Sequence, residues 1–243
     1  MRAFPLLIAS SIFSVGCTTV QDTFTEQLSA SGINIVSANL DSGTLSYRGA
    51  ATQDFTIDGR SWGMASKAER AEERLSGNTY SYGLAGGALV LQSHSDTGLA
   101  GVDFDILGPM AMNTAIDASD GSVELSDMSG FQQVSARSID AEGIYGGVDL
   151  LATSGSLDAE IYPGPGDSIR IETYSGDVAL TLPWGHGYDI QVWGDPEYAM
   201  EVEDLGFYSA ATAPAYFAGV SGNAAIRVDV FVTGGSVRID SAW

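Results

Sequence analysis

The chain has 243 residues and carries 31 Asp and Glu against 10 Lys and Arg, which gives a net charge of −21. A chain this acidic repels nucleic acid and anionic lipid headgroups, so we expect no nucleic-acid partner. A hydrophobic content of 44% can supply a core, and thirty glycines spread along the chain predict the frequent turns of an all-β fold.

The first 16 residues predict a signal peptide. Arg2 supplies a short positive region, and Phe4–Val15 is a mostly apolar run that is too short to cross a bilayer as a helix. Ser14-Val15-Gly16-Cys17 resembles the lipobox of bacterial lipoproteins, with Ser14 standing where that pattern prefers leucine. Cys17 is the only cysteine of the chain, so we predict that it carries the lipid, palmitate included. The alternative is an ordinary cleaved signal with an incidental cysteine.

Residues 17–31 predict a lipidated N-terminus followed by a tether. No aspartate occupies the position after Cys17, and by resemblance to lipoprotein sorting rules this favours the outer membrane of the bacterial cell envelope. The segment 18–31 is polar and rich in Thr, Gln and Ser, which is typical of a flexible linker. We therefore expect the folded domain to occupy residues 32–243.

One segment departs from the patterning of a β protein. Residues 65–75 consist of strong helix formers and contain Lys67, the only lysine of the chain. We predict one short helix near 65–75, packed against one end of the domain, with a charged loop as the alternative.

A strand-turn unit recurs along the chain. Each copy has a polar residue or a glycine, then a glycine, then apolar residues that alternate with polar ones, and an early relative that begins at Asp41 has two polar residues before its glycine. Glycine allows the turn a backbone conformation that other residues resist, and apolar residues two apart share one face of a strand. The copies begin at the following positions: Asp41, Asp120, Gly146, Ser154, Ser175 and Gly234.

The spacing of these units favours stacked coils. Gly155 and Gly176 are 21 residues apart, which is within the range of solenoid repeats. We therefore predict an all-β parallel β-helix, or solenoid, in which Val178, Leu180 and Leu182 point into the core. The alternative is a β-sandwich with glycine turns.

Aromatic residues are concentrated between Trp184 and Phe217. Part of this stretch, 195–222, has poor strand alternation and contains two prolines. Such an excursion can display aromatic rings to a sugar or a peptide, whereas the alternative is that the rings pack under a loop or cap an open solenoid end. The candidate ligand contacts are Trp184, Tyr188, Trp193, Tyr198 and Tyr208.

Several features together resemble the DUF4097 family, the bacterial "putative adhesin" domain, over about residues 32–240. They are the turns Ser154-Gly155-Ser156-Leu157 and Ser175-Gly176-Asp177-Val178, the strand Gly101–Ile106 leading to Pro109, and the opening Gly32–Leu45. The resemblance implies a solenoid-like architecture and brings no catalytic residues.

Motifs of enzyme chemistry are missing from the sequence. It contains no nucleophile elbow, no zinc-protease motif and no phosphate loop, and its two histidines are His94 and His186. We therefore expect no catalytic residue, metal or cofactor. The predicted function is a non-enzymatic envelope solenoid for adhesion, scaffolding or binding of a protein or glycan. The alternative is a β-helix enzyme that acts on envelope or extracellular polysaccharide.

Overall fold

The computed structural model describes residues 17–242, which form nineteen strands and one helix. The predicted signal peptide therefore lies outside the described residues. The elements are β1 (Thr18–Ser29), β2 (Ile35–Leu40), β3 (Thr44–Ala50), β4 (Asp54–Ala65), α1 (Ala68–Gly77), β5 (Thr79–Ala85), β6 (Ala88–His94), β7 (Ala100–Pro109), β8 (Asn113–Ser129), β9 (Gln132–Tyr145), β10 (Val148–Ala152), β11 (Leu157–Ile161), β12 (Ser168–Thr173), β13 (Val178–Pro183), β14 (Tyr188–Trp193), β15 (Met200–Val202), β16 (Phe207–Ala213), β17 (Tyr216–Ser221), β18 (Ile226–Val232) and β19 (Val237–Ala242).

The all-β class and the single short helix near 65–75 are confirmed. α1 buries Ala71 against β4, and the approach is close because Gly63 of β4 has no side chain. A Cβ at Gly63 would lie 2.4 Å from the Ala71 carbonyl oxygen. Within the described part of the chain, no helix has the length and apolar character needed to span a membrane.

All the strands join one large sheet that mixes parallel and antiparallel pairs. The pairings form two rows, and the long strands β8 and β9 run through both. In order, the first row is β5-β6-β2-β8-β9-β10-β12-β18-β14-β17-β16, and the second is β1-β4-β7-β3-β8-β9-β11-β13-β19-β15. The middle of each row is parallel. Antiparallel pairs lie at both ends of the first row but only at the β1 end of the second, where β15 at the opposite end pairs parallel with β19.

The order of strands in the rows differs from their order in the chain at both ends. β2 lies between β6 and β8 in the first row, and β3 lies between β7 and β8 in the second, although β6 and β7 come later in the chain than β2 and β3. Likewise, β18–β19 inserts between β12–β13 and β14–β15. The two longest intervals between glycine turns, from Asp41 to Asp120 and from Ser175 to Gly234, contain the additional strands β4–β7 and β14–β18.

The core lies between the two rows, and one buried cluster contains side chains from both. Val178, Leu180 and Leu182 of β13 are buried, whereas Ala179 and Thr181 are partly exposed. The inward direction predicted for the three apolar residues is therefore confirmed. The alternation follows from the period of two in a strand.

The glycine turns stack directly on one another. Gly176 has a φ of 138°, and its amide donates a hydrogen bond to the Gly234 carbonyl oxygen at 2.8 Å. A Cβ at Gly176 would lie 2.2 Å from the carbonyl oxygen of Gly155, and one at Gly235 would lie 2.1 Å from that of Gly176. Any side chain at these corners would force adjacent turns apart.

The structure corrects the tether predicted over residues 17–31. Thr18–Ser29 is a regular strand, β1, and all twelve of its residues pair with β4. Threonine favours strands, and Phe24 packs against the core, so the polar composition was a poor guide to flexibility. Cys17 is exposed directly before this strand.

Candidate functional site

The strongest candidate site is the end of the rows formed by β14–β17, within the stretch that the sequence marked as an excursion. The excursion is a β-hairpin rather than a loop: β16 and β17 pair antiparallel across the turn Pro214-Ala215. A register shift lies between Phe207 and Ser209, and regular pairing runs from Ser209 to Ala213. The hairpin was missed because almost every β16 side chain is exposed, which removes the alternation that marks a half-buried strand.

The five aromatic candidates do not form one platform. Tyr188 is fully buried, so its candidacy as a surface ligand contact is wrong. Its hydroxyl donates a hydrogen bond to the Pro183 carbonyl oxygen at 2.8 Å, and burial raises the pKa of the Tyr188 phenol. It occupies an inward position of β14, as the strand period requires.

Trp193 contributes to a ladder of rings on the outer face of the first row. The centroid of its ring lies 4.5 Å from that of Phe231, with an interplanar angle of 1°. On the Trp193 ring, the distance to the Tyr216 centroid is 5.7 Å. Arg170 lies 6.0 Å from the Phe231 ring. Because Trp193 and Phe231 cover each other's faces, the ladder supports the pairing of adjacent strands and leaves little open ring face for a sugar.

Trp184, Tyr198 and Tyr208 are exposed, at 57%, 50% and 72% respectively. They lie on separate elements: directly after β13, in the loop after β14, and in β16. In the described residues, none of the three stacks on another aromatic ring. They are accessible but do not converge.

A groove lies between the last strands of the two rows. It has a volume of about 520 Å³ and is lined by both apolar and small residues. Thr212 of β16 is directly opposite Phe217 of β17, so these two side chains share one face of the hairpin. The groove is lined by Met200, Val202, Thr212, Ala213, Pro214 and Phe217.

The segment that forms this groove is acidic, and Arg238 of β19, paired opposite Glu201 of β15, is a basic residue beside it. No lysine or arginine occurs between Arg170 and Arg227, and residues 195–204 contain five acidic side chains. Glu203 accepts hydrogen bonds from the Ser241 amide at 2.7 Å and the Ser241 hydroxyl at 2.8 Å, which lower the pKa of its carboxyl. This carboxylate is therefore charged across the physiological pH range.

The entry into β16 is also fixed by a carboxylate. Asp204 accepts hydrogen bonds from the amides of Gly206 at 2.9 Å and Phe207 at 3.1 Å. Leu205, which lies between Asp204 and Gly206 in the chain, is fully buried. The start of β16 is thus held to the core although the strand itself is exposed.

Two other groups resemble parts of catalytic sites without forming one. His94 contacts Asp41 and lies 3.4 Å from Asp96, but Ser93 precedes it in β6, so the serine and histidine side chains point to opposite faces. Elsewhere, burial and the nearby Asp158 raise the pKa of Asp140. Within residues 17–242, no three Asp, Glu, His or Cys residues are grouped so that they could hold a metal ion.

Comparisons with known proteins show likeness in fold. No protein-family profile matches the chain, and no curated protein matches it. It is similar to "a putative cell adhesion protein" from Clostridium sporogenes ATCC 15579, with 12% identity and a TM-score of 0.50 over 91% of this chain and 100% of that one. It also aligns with "a putative adhesin" from Bacteroides fragilis NCTC 9343, at 10% identity and a TM-score of 0.29 over 91% and 97% of the two chains.

Proposed function

We propose that this protein is a non-enzymatic β-solenoid, displayed at the bacterial cell envelope through a lipid on Cys17, whose role is adhesion, scaffolding or partner binding. The observation that carries the proposal is the pair of strand rows with solvent-facing outer surfaces around one shared core. The likeness to a structure described as "a putative cell adhesion protein", which this chain covers in full, supports it.

A solenoid accounts for the pairing in the middle of the rows. There, each turn of the chain places one strand in each row, as β10–β11 and β12–β13 do, and successive turns stack in parallel. Each turn buries its inward face only against its neighbours, which is the way a solenoid builds its core. The antiparallel strands at both ends of the first row and at the β1 end of the second then act as caps.

The position of Cys17 gives the display a direction. β1 is the first strand of the second row and β15 is its last, with eight strands between them. At about 4.8 Å per strand, the far end lies roughly 40 Å from the strand that follows Cys17. A lipid on Cys17 would hold one end at the membrane and present the other, and three acyl chains would hold it firmly.

A second candidate, an enzyme acting on polysaccharide, is favoured by one observation. Asp140 and Asp158 are directly paired neighbours, and the raised pKa of Asp140 is typical of a general acid. However, both carboxylates are exposed on the outer face of their strands. Carboxylates that hydrolyse a glycosidic bond flank the bound sugar, whereas these two lie side by side on adjacent strands. The display function is therefore the better supported of the two.

Attachment of cells tests the display function. Cells that lack the gene are complemented with the wild-type chain, with Cys17→Ser, or with the surface variant Thr181→Ser as a matched control. We expect the wild type and Thr181→Ser to sediment with membranes and to restore attachment. Cys17→Ser should fold but be released from the membrane, because it lacks the thiol that would carry the lipid.

Two results would contradict the proposal. Retention of Cys17→Ser in the fraction that needs detergent for extraction would refute the prediction that a lipid on Cys17 anchors the protein. Release of reducing ends from envelope polysaccharide by the purified wild type, abolished by Asp140→Asn, would establish the enzyme instead.

A further inference from the structure

We propose that the free edge of β16 is a docking site for an extended, positively charged polypeptide segment, which adds to the first row as a further strand. This inference rests on the proposed partner-binding function and names the chemistry of the partner.

The edge itself is open in the described structure. β16 pairs with β17 on one side and is the last strand of the first row. The backbone N–H and C=O groups on its other side have no partner among the described hydrogen bonds. A row of such groups is a template on which another strand can form.

The features that normally protect an edge strand are few here. The sequence of β16, Phe-Tyr-Ser-Ala-Ala-Thr-Ala, has no charge and no proline, and the six residues from Tyr208 to Ala213 are all exposed. The irregularity near Tyr208 disturbs only the start of the strand, which leaves Ser209–Ala213 regular. Native proteins usually place lysine, proline or an inward-pointing charge on such an edge.

The neighbouring groove offers a place for the side chains of an added strand. Thr212 and Phe217 face it from the hairpin, and Met200 and Val202 face it from β15. In an added strand, alternate residues would point toward this apolar groove and the others toward solvent. The groove would therefore select for apolar residues at every second position.

Charge complementarity identifies the occupant. Glu197, Glu201 and Glu203 lie close in sequence to the hairpin and are exposed, and Arg238, which lies opposite Glu201, is already paired with Asp240 at 2.8 Å. A second copy of this chain would bring the same negative field and a net charge of −21. A segment with lysine or arginine alternating with apolar residues is attracted instead.

Binding of defined peptides to the full chain in detergent tests this docking site. The probe is a capped, fluorescent Lys-Val-Lys-Val-Lys-Val-Lys peptide. One matched peptide has glutamate in place of each lysine, and the other has proline in place of the central valine. We expect the probe to bind and both matched peptides to bind at least about tenfold more weakly. The proline peptide keeps the charge, so equal binding of it would reduce the interaction to attraction by net charge and overturn the proposal.

A pair of variants locates the site. Thr212→Lys places a cation in the groove and should weaken probe binding about tenfold, whereas the same change at Thr181, on β13, should alter it less than about twofold. Hydrogen exchange on the wild-type chain serves if Thr212→Lys fails to fold. Bound probe should slow the amides of β16 and leave those of β1 unchanged.

Two further outcomes would overturn the docking site. Equal weakening by both lysine variants, or unchanged exchange in β16, would place the peptide elsewhere. Dimers that form without peptide and dissociate in Thr212→Lys would make a second copy the occupant. Loss of the docking site with cell attachment retained would leave the display function standing, so the two failures can be distinguished.

Discussion

The two ends of the strand rows are built differently. At the end that contains β1 and β5, Phe24 stacks between Tyr80 and Tyr82, with ring centroids 4.9 Å apart in each pair. α1 packs across β4 and β1 at the same end. At the other end, β16 stands exposed beside an open groove, and no helix of the described structure packs against it.

A strand at the edge of a sheet has unpaired backbone N–H and C=O groups, and the two ends of this chain treat those groups differently. β1 carries Asp22 and Glu26, and one Asp22 carboxylate oxygen is buried without a hydrogen-bond partner. A charge that points inward on an edge strand opposes the addition of another strand. The edge of β1 next to Cys17 is thus protected by charge. β5 at the same end is also uncharged and mostly exposed, but its Tyr80 and Tyr82 stack on Phe24 of β1, whereas no aromatic ring of the described residues stacks on Tyr208 of β16.

The largest expected effect comes from a charge placed in the core that both ends share. Leu180→Asp removes apolar burial worth about 1.5–3 kcal/mol and leaves an unpaired carboxylate inside, so both ends should unfold together. Thr181→Asp, one residue along the strand and partly exposed, should change stability by no more than about 0.5 kcal/mol. Chemical denaturation in one buffer compares them, and equal losses would refute the assigned strand register.

A smaller effect separates the two ends directly. Phe24→Ala removes the ring between Tyr80 and Tyr82 and should cost about 2–3 kcal/mol of unfolding free energy, because the ring is only partly buried. Tyr208→Ala at the opposite end should cost less than about 0.5 kcal/mol, since that side chain is 72% exposed. If the Tyr208 variant lost as much as the Phe24 variant, the far end would be packed rather than open.

The smallest effect concerns pH in the rows between the ends. Asp177 accepts hydrogen bonds from the Ser236 amide at 2.8 Å and the Ser236 hydroxyl at 2.7 Å, which lower the pKa of its carboxyl in the folded state. The stability this provides is present above the pKa of the unfolded chain and is lost as pH falls through the folded-state pKa. Asp177→Ala should therefore lower the melting temperature by about 1–2 °C at pH 7, and the difference should narrow in acid.

Asp140 provides the matched opposite case. Burial and the charge of Asp158 raise the pKa of its carboxyl, so the ionised form opposes folding at pH 7. Asp140→Asn should raise the melting temperature slightly at pH 7, and this gain should shrink as pH falls through the raised folded-state pKa. A loss at pH 7 would show that Asp140 is stabilised by its surroundings instead.

Strand alternation and helix propensity predicted the local structure of β13, in the middle of the rows, and of α1. The inward residues of β13 and the helix near 65–75 follow from local sequence, because strand period and helix propensity act over a few residues. The order of the strands in the rows does not. β18 and β19 insert between strands that precede them in the chain, and this placement rests on pairing between residues that are far apart in sequence.

The ends were harder to predict for two separate physical reasons. The β structure of Thr18–Ser29 depends on β4, which follows it at a distance along the chain, so composition alone suggested a tether. The exposed strand Phe207–Ala213 has no buried face and therefore no alternation. For the same reason, aromatic type did not separate the buried Tyr188 from the exposed Tyr208.

Native-state hydrogen exchange of the unbound wild-type chain tests the difference between the ends most directly. The amides through which β1 pairs with β4 should exchange only through openings that approach global unfolding, because that end is packed by α1 and the Phe24 stack. The amides of β16 should exchange through local opening, at least about a hundredfold faster. Equal protection of β1 and β16 without any partner would contradict the account of one closed end and one open end.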